Sequence, residues 1–208
     1  SDLASRFRPA NQPYRPRVGF EYEMICLDGK TLEPLTYDGP HGLRQVLETA
    51  ARIGNGTRLQ GPGEPLTRVA LPDDSLLSLE PGGQLEFSSA PRERFQSTLD
   101  QLERFRSLLE ELRHAHDLHL FFGGVNPVHT PERIGLVTPS PRYRIMDAYF
   151  PTVGSMGRRM MRQSCSVQVS FDYGDAEQGR ALLRTAQYVA PFAAALFANA
   201  PYVDGQRS

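Results

Sequence analysis

Four glutamates carry the chemistry this sequence can offer. Glu21 and Glu23 stand two apart in Gly19-Phe20-Glu21-Tyr22-Glu23, and Glu80 and Glu86 bound the run Glu80-Pro81-Gly82-Gly83-Gln84-Leu85-Glu86. Side chains of a strand repeat every second residue, so Glu21 and Glu23 share one face while Phe20, Tyr22 and Met24 take the other. Neighbouring carboxylates on one face repel each other unless a cation lies between them. Ligands that are oxygen only suit Mg²⁺. A metal–nucleotide site is therefore the leading idea, set against the plainer reading of Glu-x-Glu as the solvated face of a half-buried strand.

Repetition favours the first reading. Ser78 and Glu80 share a face opposite Leu77 and Leu79; Gln84, Glu86 and Ser88 share one opposite Leu85 and Phe87. Ser166, Gln168, Ser170 and Asp172 alternate against Val167, Val169 and Phe171. Packed side by side in an antiparallel sheet, these stretches make a polar floor of carboxylate, amide and hydroxyl above an apolar underside.

The elements that must hold this floor follow from periodicity. A first strand is expected over about 17–27, closed by Asp28-Gly29, with loop over 30–40. A helix over about 41–53 presents Leu43, Val46, Leu47 and Ala50 on one stripe and stops at Gly54-Asn55-Gly56. Residues 58–71 are ambiguous between loop and a short hairpin broken at Gly61-Pro62-Gly63. Strands over about 76–80 and 84–88 flank the tight turn Pro81-Gly82-Gly83. Phe95, Leu99, Leu102, Leu109 and Leu112 mark a long helix over about 93–116. A short strand over 118–122 is followed by loop over 125–141, helices near 142–150 and 155–162, a strand over 165–173 and a last helix over about 176–198. Strands and helices mix without regular alternation, so the expected class is α+β with a mainly antiparallel sheet and flanking helices.

Composition narrows the function classes. The chain has 208 residues, 39% hydrophobic and 23% charged, enough for one domain with a real core. A net charge of −1 gives no basic excess for a nucleic-acid partner. No apolar run reaches the ~20 residues of a membrane span, and residues 1–16 are polar, without an apolar signal core, and read as a loose lead-in. Cys26 and Cys165 are too few for a disulfide framework, which with the missing signal suggests a cytoplasmic home. Lys30 is the single lysine among the cations, a bias we assign to codon usage; an arginine clamp on phosphate or carboxylate applies only to particular arginines.

The ordered set Glu21-x-Glu23, Ser78-Leu79-Glu80-Pro81-Gly82-Gly83-Gln84-Leu85-Glu86, Tyr143-Arg144-Ile145-Met146, Val153-Gly154-Ser155-Met156-Gly157, Met160-Met161, Cys165-Ser166-Val167-Gln168-Val169 and Leu196-Phe197-Ala198-Asn199-Ala200-Pro201 resembles glutamate–cysteine ligase of the plant and proteobacterial type. Order and spacing fit from about Val18 to Asp204. The resemblance implies a glutamine synthetase-like catalytic fold, a curved antiparallel sheet whose concave face binds Mg²⁺ and ATP. It implies phosphorylation of the glutamate γ-carboxylate by ATP and attack of the cysteine amine on the acyl phosphate. It assigns Glu21, Glu23 and Glu86 to magnesium; Gln168, with Ser170 on its face, and Glu80 are the candidate nucleotide-site positions. Glutamate, cysteine and ATP are the implied small-molecule partners.

The family is longer than this chain, so residues 17–208 are expected to be the N-terminal part of a catalytic domain, incomplete here and completed by a further segment or a second chain. Two other functions stay open: a related carboxylate–amine ligase with another acceptor, as in ergothioneine synthesis, or a non-catalytic module retaining the fold. Arg162 is a candidate catalytic residue, able to grip a substrate carboxylate or phosphate bidentately, or else a surface helix cation. Met160, Met161 and Cys165 read as packing. His114, His116 and His119 read as a solvated helix end rather than a metal cluster. Tyr143 and Arg144 have no role that chemistry alone assigns.

Overall fold

The structure is a computed structural model that describes residues 14–208. The expected lead-in therefore lies outside the described residues as far as 13; from Tyr14 the chain is tied down, its hydroxyl donating to the Asp172 carbonyl at 2.8 Å. The central element is β1 (Val18–Asp28), eleven residues in which apolar and polar side chains alternate as far as Met24, one face core and the other floor, and which is buried on both faces over 24–27. β1 pairs antiparallel with β5 (Leu85–Ser88) through residues 21–24, with β7 (Val167–Phe171) through 18–22 and with β6 (Leu118–Phe121) through 25–28. Beyond β5 the sheet continues through β4 (Leu76–Leu79), β3 (Arg68–Ala70) and β2 (Thr57–Arg58). All recorded pairings are antiparallel. The ambiguous stretch 58–71 thus resolves as a hairpin, β2 to β3, around the Gly61-Pro62-Gly63 loop.

The apolar face is covered by α1 (Leu43–Ile53) and α2 (Phe95–His116). Met24, Leu77, Leu85 and Phe87 of the sheet are fully buried against Val46, Leu47 and Phe105 of these helices, and the Phe87 and Phe105 rings stack with centroids 4.3 Å apart. Burying each such side chain is worth about 1.5–3 kcal/mol, which fixes the register: a slip of one residue would carry the glutamates into the core.

After β6 the chain crosses to the polar side. α3 (Pro131–Ile134) appears inside the stretch expected to be loop, started by the Thr130 hydroxyl that accepts from the Arg133 amide at 3.2 Å. α4 (Pro141–Val153) and α5 (Gly157–Arg162) follow, α4 running three residues further than expected because Pro151 removes only its own donor. Then come β7, α6 (Ala176–Leu196) and a small hairpin, β8 (Tyr202–Val203) with β9 (Gln206–Arg207), which periodicity over so few residues does not announce. Met161 is buried as expected, but Met160 is 53% exposed and is not part of the core. Among the described residues no helix is long and apolar enough to cross a membrane.

Candidate functional site

Strand register sets the glutamates side by side. Glu23 faces Glu86 across β1 and β5, and Glu86 faces Ser78 across β5 and β4. The next row places Glu21 between Ser88 on β5 and Gln168 on β7. Residues directly opposite in a ladder share a face, so Glu21, Glu23 and Glu86 stand on one polar surface, as the alternation requires. Glu80 joins them from the β4–β5 turn, its carboxyl close enough to Glu86 and Glu23 to feel both charges.

Three of the four carboxylates, Glu23, Glu86 and Glu80, are held by hydrogen bonds. Glu23 accepts from the Ser166 amide at 2.9 Å, from the Ser166 hydroxyl at 3.1 Å and from the Gln168 amide at 3.2 Å. Glu86 accepts the Ser78 hydroxyl at 3.1 Å and the Ser88 hydroxyl at 2.9 Å, both on Oε1. The Tyr143 hydroxyl of α4 reaches Glu80 Oε1 at 3.4 Å, and the Arg142 guanidinium lies near enough to favour the Glu80 charge. Tyr143, for which the sequence suggested no role, and Arg142, which it did not single out, thus border the acids; Tyr143 lies on the family-like motif, and the α4 geometry supplies the rest.

The electrostatics report crowding. Burial, then Glu86 and Glu23, push the Glu80 carboxyl up to about 7. Burial raises Glu23, opposed by its Ser166 hydrogen bonds, and burial followed by Glu86 raises Glu21. These groups ionise reluctantly because burial and the neighbouring carboxylates outweigh the Arg142 guanidinium near Glu80 and the hydrogen bonds to Glu23. Among the described residues no three His, Cys, Asp or Glu side chains are already drawn into a closed metal nest. The donor set nonetheless fits a hard divalent cation: four carboxylates from two strands and a turn, all oxygen, with hydroxyl and amide neighbours. Cys165 borders the site, yet burial holds its thiol far above the ordinary range, so it packs as an apolar group.

The turn that carries Glu80 is clamped from behind. Gln84, expected on the polar face, is 3% exposed; its side-chain NH₂ donates to the Met161 carbonyl at 3.2 Å and the Ser164 carbonyl at 2.8 Å, and its carbonyl accepts from the Gly82 amide at 2.9 Å. A Cβ on Gly82 would collide with the Arg162 carbonyl, so glycine is what lets α5 close on the turn. The Thr138 hydroxyl adds a bond to the Glu80 carbonyl at 2.6 Å.

Two sequence candidates lie apart from this cluster. Ser170 is on the same strand face as Gln168 but faces Gly19, past the last glutamate. Arg162 is buried, not a surface cation: its guanidinium pairs with the Asp147 carboxylate and donates to the Pro131 carbonyl at 3.0 Å. With Nη1 and Nη2 engaged it braces α5 against α3 and α4, while its buried Nε has no hydrogen-bond partner among the described residues. His116 is likewise occupied, bonding Thr49 Oγ1 at 2.8 Å.

With this geometry in view, the comparisons with known proteins are direct. Residues 17–208 match the pattern of Glutamate-cysteine ligase family 2 (GCS2). A chloroplastic glutamate–cysteine ligase of Brassica juncea is 30% identical over 190 residues, 91% of this chain and 36% of that protein. The chloroplastic enzymes of Arabidopsis thaliana, 30% identical over 191 residues, and of Medicago truncatula, 31% over 191, align over 91% of this chain and 35% and 36% of their own lengths. The chain spans about a third of the length of these curated relatives, and over nearly all of its own length it belongs to the glutamate–cysteine ligase family 2.

Proposed function

We propose that the polar face formed by Glu21, Glu23, Glu80 and Glu86 binds Mg²⁺ with ATP, in a protein that joins the γ-carboxylate of glutamate to the amine of cysteine through a γ-glutamyl phosphate, the first step of glutathione synthesis. The observation that carries the reading is the convergence of four carboxylates from separate segments on one face, with Glu80 raised to about 7 by burial and its acidic neighbours. Magnesium, when bound, would screen the phosphate and carboxylate charges that must approach one another. Family membership and relatives named for this activity support the same assignment; a glutamine synthetase-like arrangement of the antiparallel sheet belongs to the same proposal, as the sequence resemblance implies.

The chain's own residues have definite tasks in this reading. Glu23 and Glu86 would hold the cation from facing strands; Ser78 and Ser88 both bond Oε1 of Glu86, while Ser166 and Gln168 between them orient both oxygens of Glu23. Gln168 acts on Glu23 through its side-chain NH₂, with Ser170 at the outer margin. Glu80, neutral or ionised near pH 7, answers to the charge that arrives beside it. Tyr143 and Arg142 close the side next to α4, where a donor and a cation suit a substrate anion.

The test is ADP release by the polypeptide its gene encodes, with MgATP, glutamate and a series of amines. ADP formation that requires both glutamate and cysteine is the expected result. Equal turnover with another amine in place of cysteine would reassign the acceptor, and no ATP turnover with any pair would overturn the reading.

A further inference from the structure

Glu80 meets α4, a helix that buries none of its residues. The half-buried positions of α4 are Tyr143, Met146, Asp147 and Phe150, spaced i, i+3, i+4 and i+7, so one stripe faces the body of the fold. A helix with so thin an apolar stripe takes its position from polar contacts, because sliding or rolling it loses little burial. Those contacts gather on Asp147. Its carboxylate pairs with the Arg162 guanidinium and stands 3.5 Å from Arg158 Nε, and its carbonyl accepts from Arg158 Nη2 at 3.2 Å. Asp147 follows Tyr143 by four residues, one turn along the same face. Whatever fixes Asp147 therefore fixes the Tyr143 hydroxyl, 3.4 Å from Glu80 Oε1.

Arg162 is the common reference for the helix and the turn. Its side chain holds Asp147 of α4 and, through the Pro131 carbonyl at 3.0 Å, α3. Its backbone carbonyl packs on Gly82, two residues after Glu80, where a Cβ would collide with it. The contacts close a circuit: Arg162 backbone to Gly82, along the turn to Glu80, across to Tyr143, along α4 to Asp147, and back to the Arg162 guanidinium. The turn has further anchors in the bonds of Gln84 to the Met161 and Ser164 carbonyls and of Thr138 to the Glu80 carbonyl, so its backbone stays when the ion pair is broken. The part of the circuit left free to shift is α4, and with it Tyr143.

We propose that Asp147 and Arg162 are positioning residues of the acid floor that act on Glu80 through Tyr143: the buried pair sets α4, and α4 sets the hydroxyl that orients the Glu80 carboxyl. This deepens the proposed Mg²⁺–ATP site and rests on that reading only for its effect on turnover; the placement of Tyr143 stands on the contacts alone.

The polypeptide its gene encodes, labelled with 3-fluorotyrosine, tests the placement by ¹⁹F NMR; the Tyr143 line is the one that Tyr143→Phe removes. Glu80→Gln should shift this line in the parent. With Asp147→Asn also present, the line should move and lose its response to Glu80→Gln. Arg162→Lys keeps a charge but cannot serve Asp147 and the Pro131 carbonyl together, so it should weaken the same response in a chain that circular dichroism shows to be folded. In turnover, kcat/KM for MgATP should fall about tenfold for Tyr143→Phe and for Asp147→Asn alike, as when a partner behind a metal ligand is lost. The two together should fall no further, because they act as one unit. A Tyr143 line that Glu80→Gln never shifts, or still shifts fully in both the Asp147→Asn and Arg162→Lys variants, overturns the proposal. So do losses that multiply to about a hundredfold in the double variant, the mark of independent sites. A parent that turns over no ATP while the Tyr143 line behaves as expected overturns the ligase reading alone and leaves the positioning standing.

Discussion

Glu23 and Glu86 face each other across the β1–β5 ladder, and the hydroxyls of Ser166, Ser78 and Ser88 hold their carboxylates without neutralising them. Like charges directly opposite in a sheet destabilise it, so the pair is kept for something that binds between. In the absence of divalent metal, Glu86→Gln should raise the melting temperature of the protein by relieving this repulsion. With saturating Mg²⁺ the gain should shrink or reverse. A lower melting temperature for the variant in metal-free buffer would contradict the placement.

In catalysis, Glu23→Gln keeps the shape and the Ser166 contact but removes the charge that holds a cation. ADP release by the whole protein should fall by at least about a hundredfold, the scale expected when a metal is displaced from phosphoryl transfer. Circular dichroism should remain that of the parent. Near-normal turnover would remove Glu23 from the site.

The sign of the pH dependence follows from Glu80. Its carboxyl titrates near 7 in the folded chain against an ordinary 4.5, so between these values the folded state holds more protons than the unfolded one. Stability from this group is therefore greatest at low pH, declines as pH rises from about 4.5 to about 7, and is level above. Denaturant midpoints at about pH 5 and about pH 8 should differ less for Glu80→Gln than for the parent, and Mg²⁺ should flatten the parent's profile. Identical profiles for the two proteins would show that Glu80 is not strained.

The back of the turn is a matter of stability. Gln84→Leu strips the Met161 and Ser164 carbonyls of their donor and the Gly82 amide of its acceptor, a loss of about 1–3 kcal/mol per buried group. Arg162→Met leaves the mostly buried Asp147 carboxylate with only its longer Arg158 contact at 3.5 Å, a loss of up to about 3–5 kcal/mol, and adding Asp147→Asn should recover much of it. Urea melts of the single and double variants measure both. A double variant no more stable than Arg162→Met alone would mean that Arg162 does something other than brace Asp147.

Much of this was legible beforehand, and the pattern of what was not is physical. Glu21, Glu23 and Glu86 could be placed on one face because β1 and β5 alternate against fully buried partners, Met24 and Phe87, which permit one register. α1 and α2 announced themselves through Leu47 and Phe105 for the same reason. Gln84 keeps the strand parity of Glu80 and Glu86, and its burial was not legible because α5, which covers it, comes from far along the chain. The burial of Arg162 was not legible because its partner Asp147 comes from another helix, a pairing no local spacing encodes. Arg142 and Tyr143 reach Glu80 only through the docking of α4.

The central claim is that four carboxylates on one sheet face bind a divalent cation, and Mn²⁺ binding read from the free-ion electron paramagnetic resonance signal tests it most directly. With ATP present, the parent protein should deplete the free Mn²⁺ signal, and Glu23→Gln combined with Glu86→Gln should restore it at least about tenfold toward that of MnATP alone. If the double variant, still folded, binds Mn²⁺ as the parent does, the polar face is not the metal site.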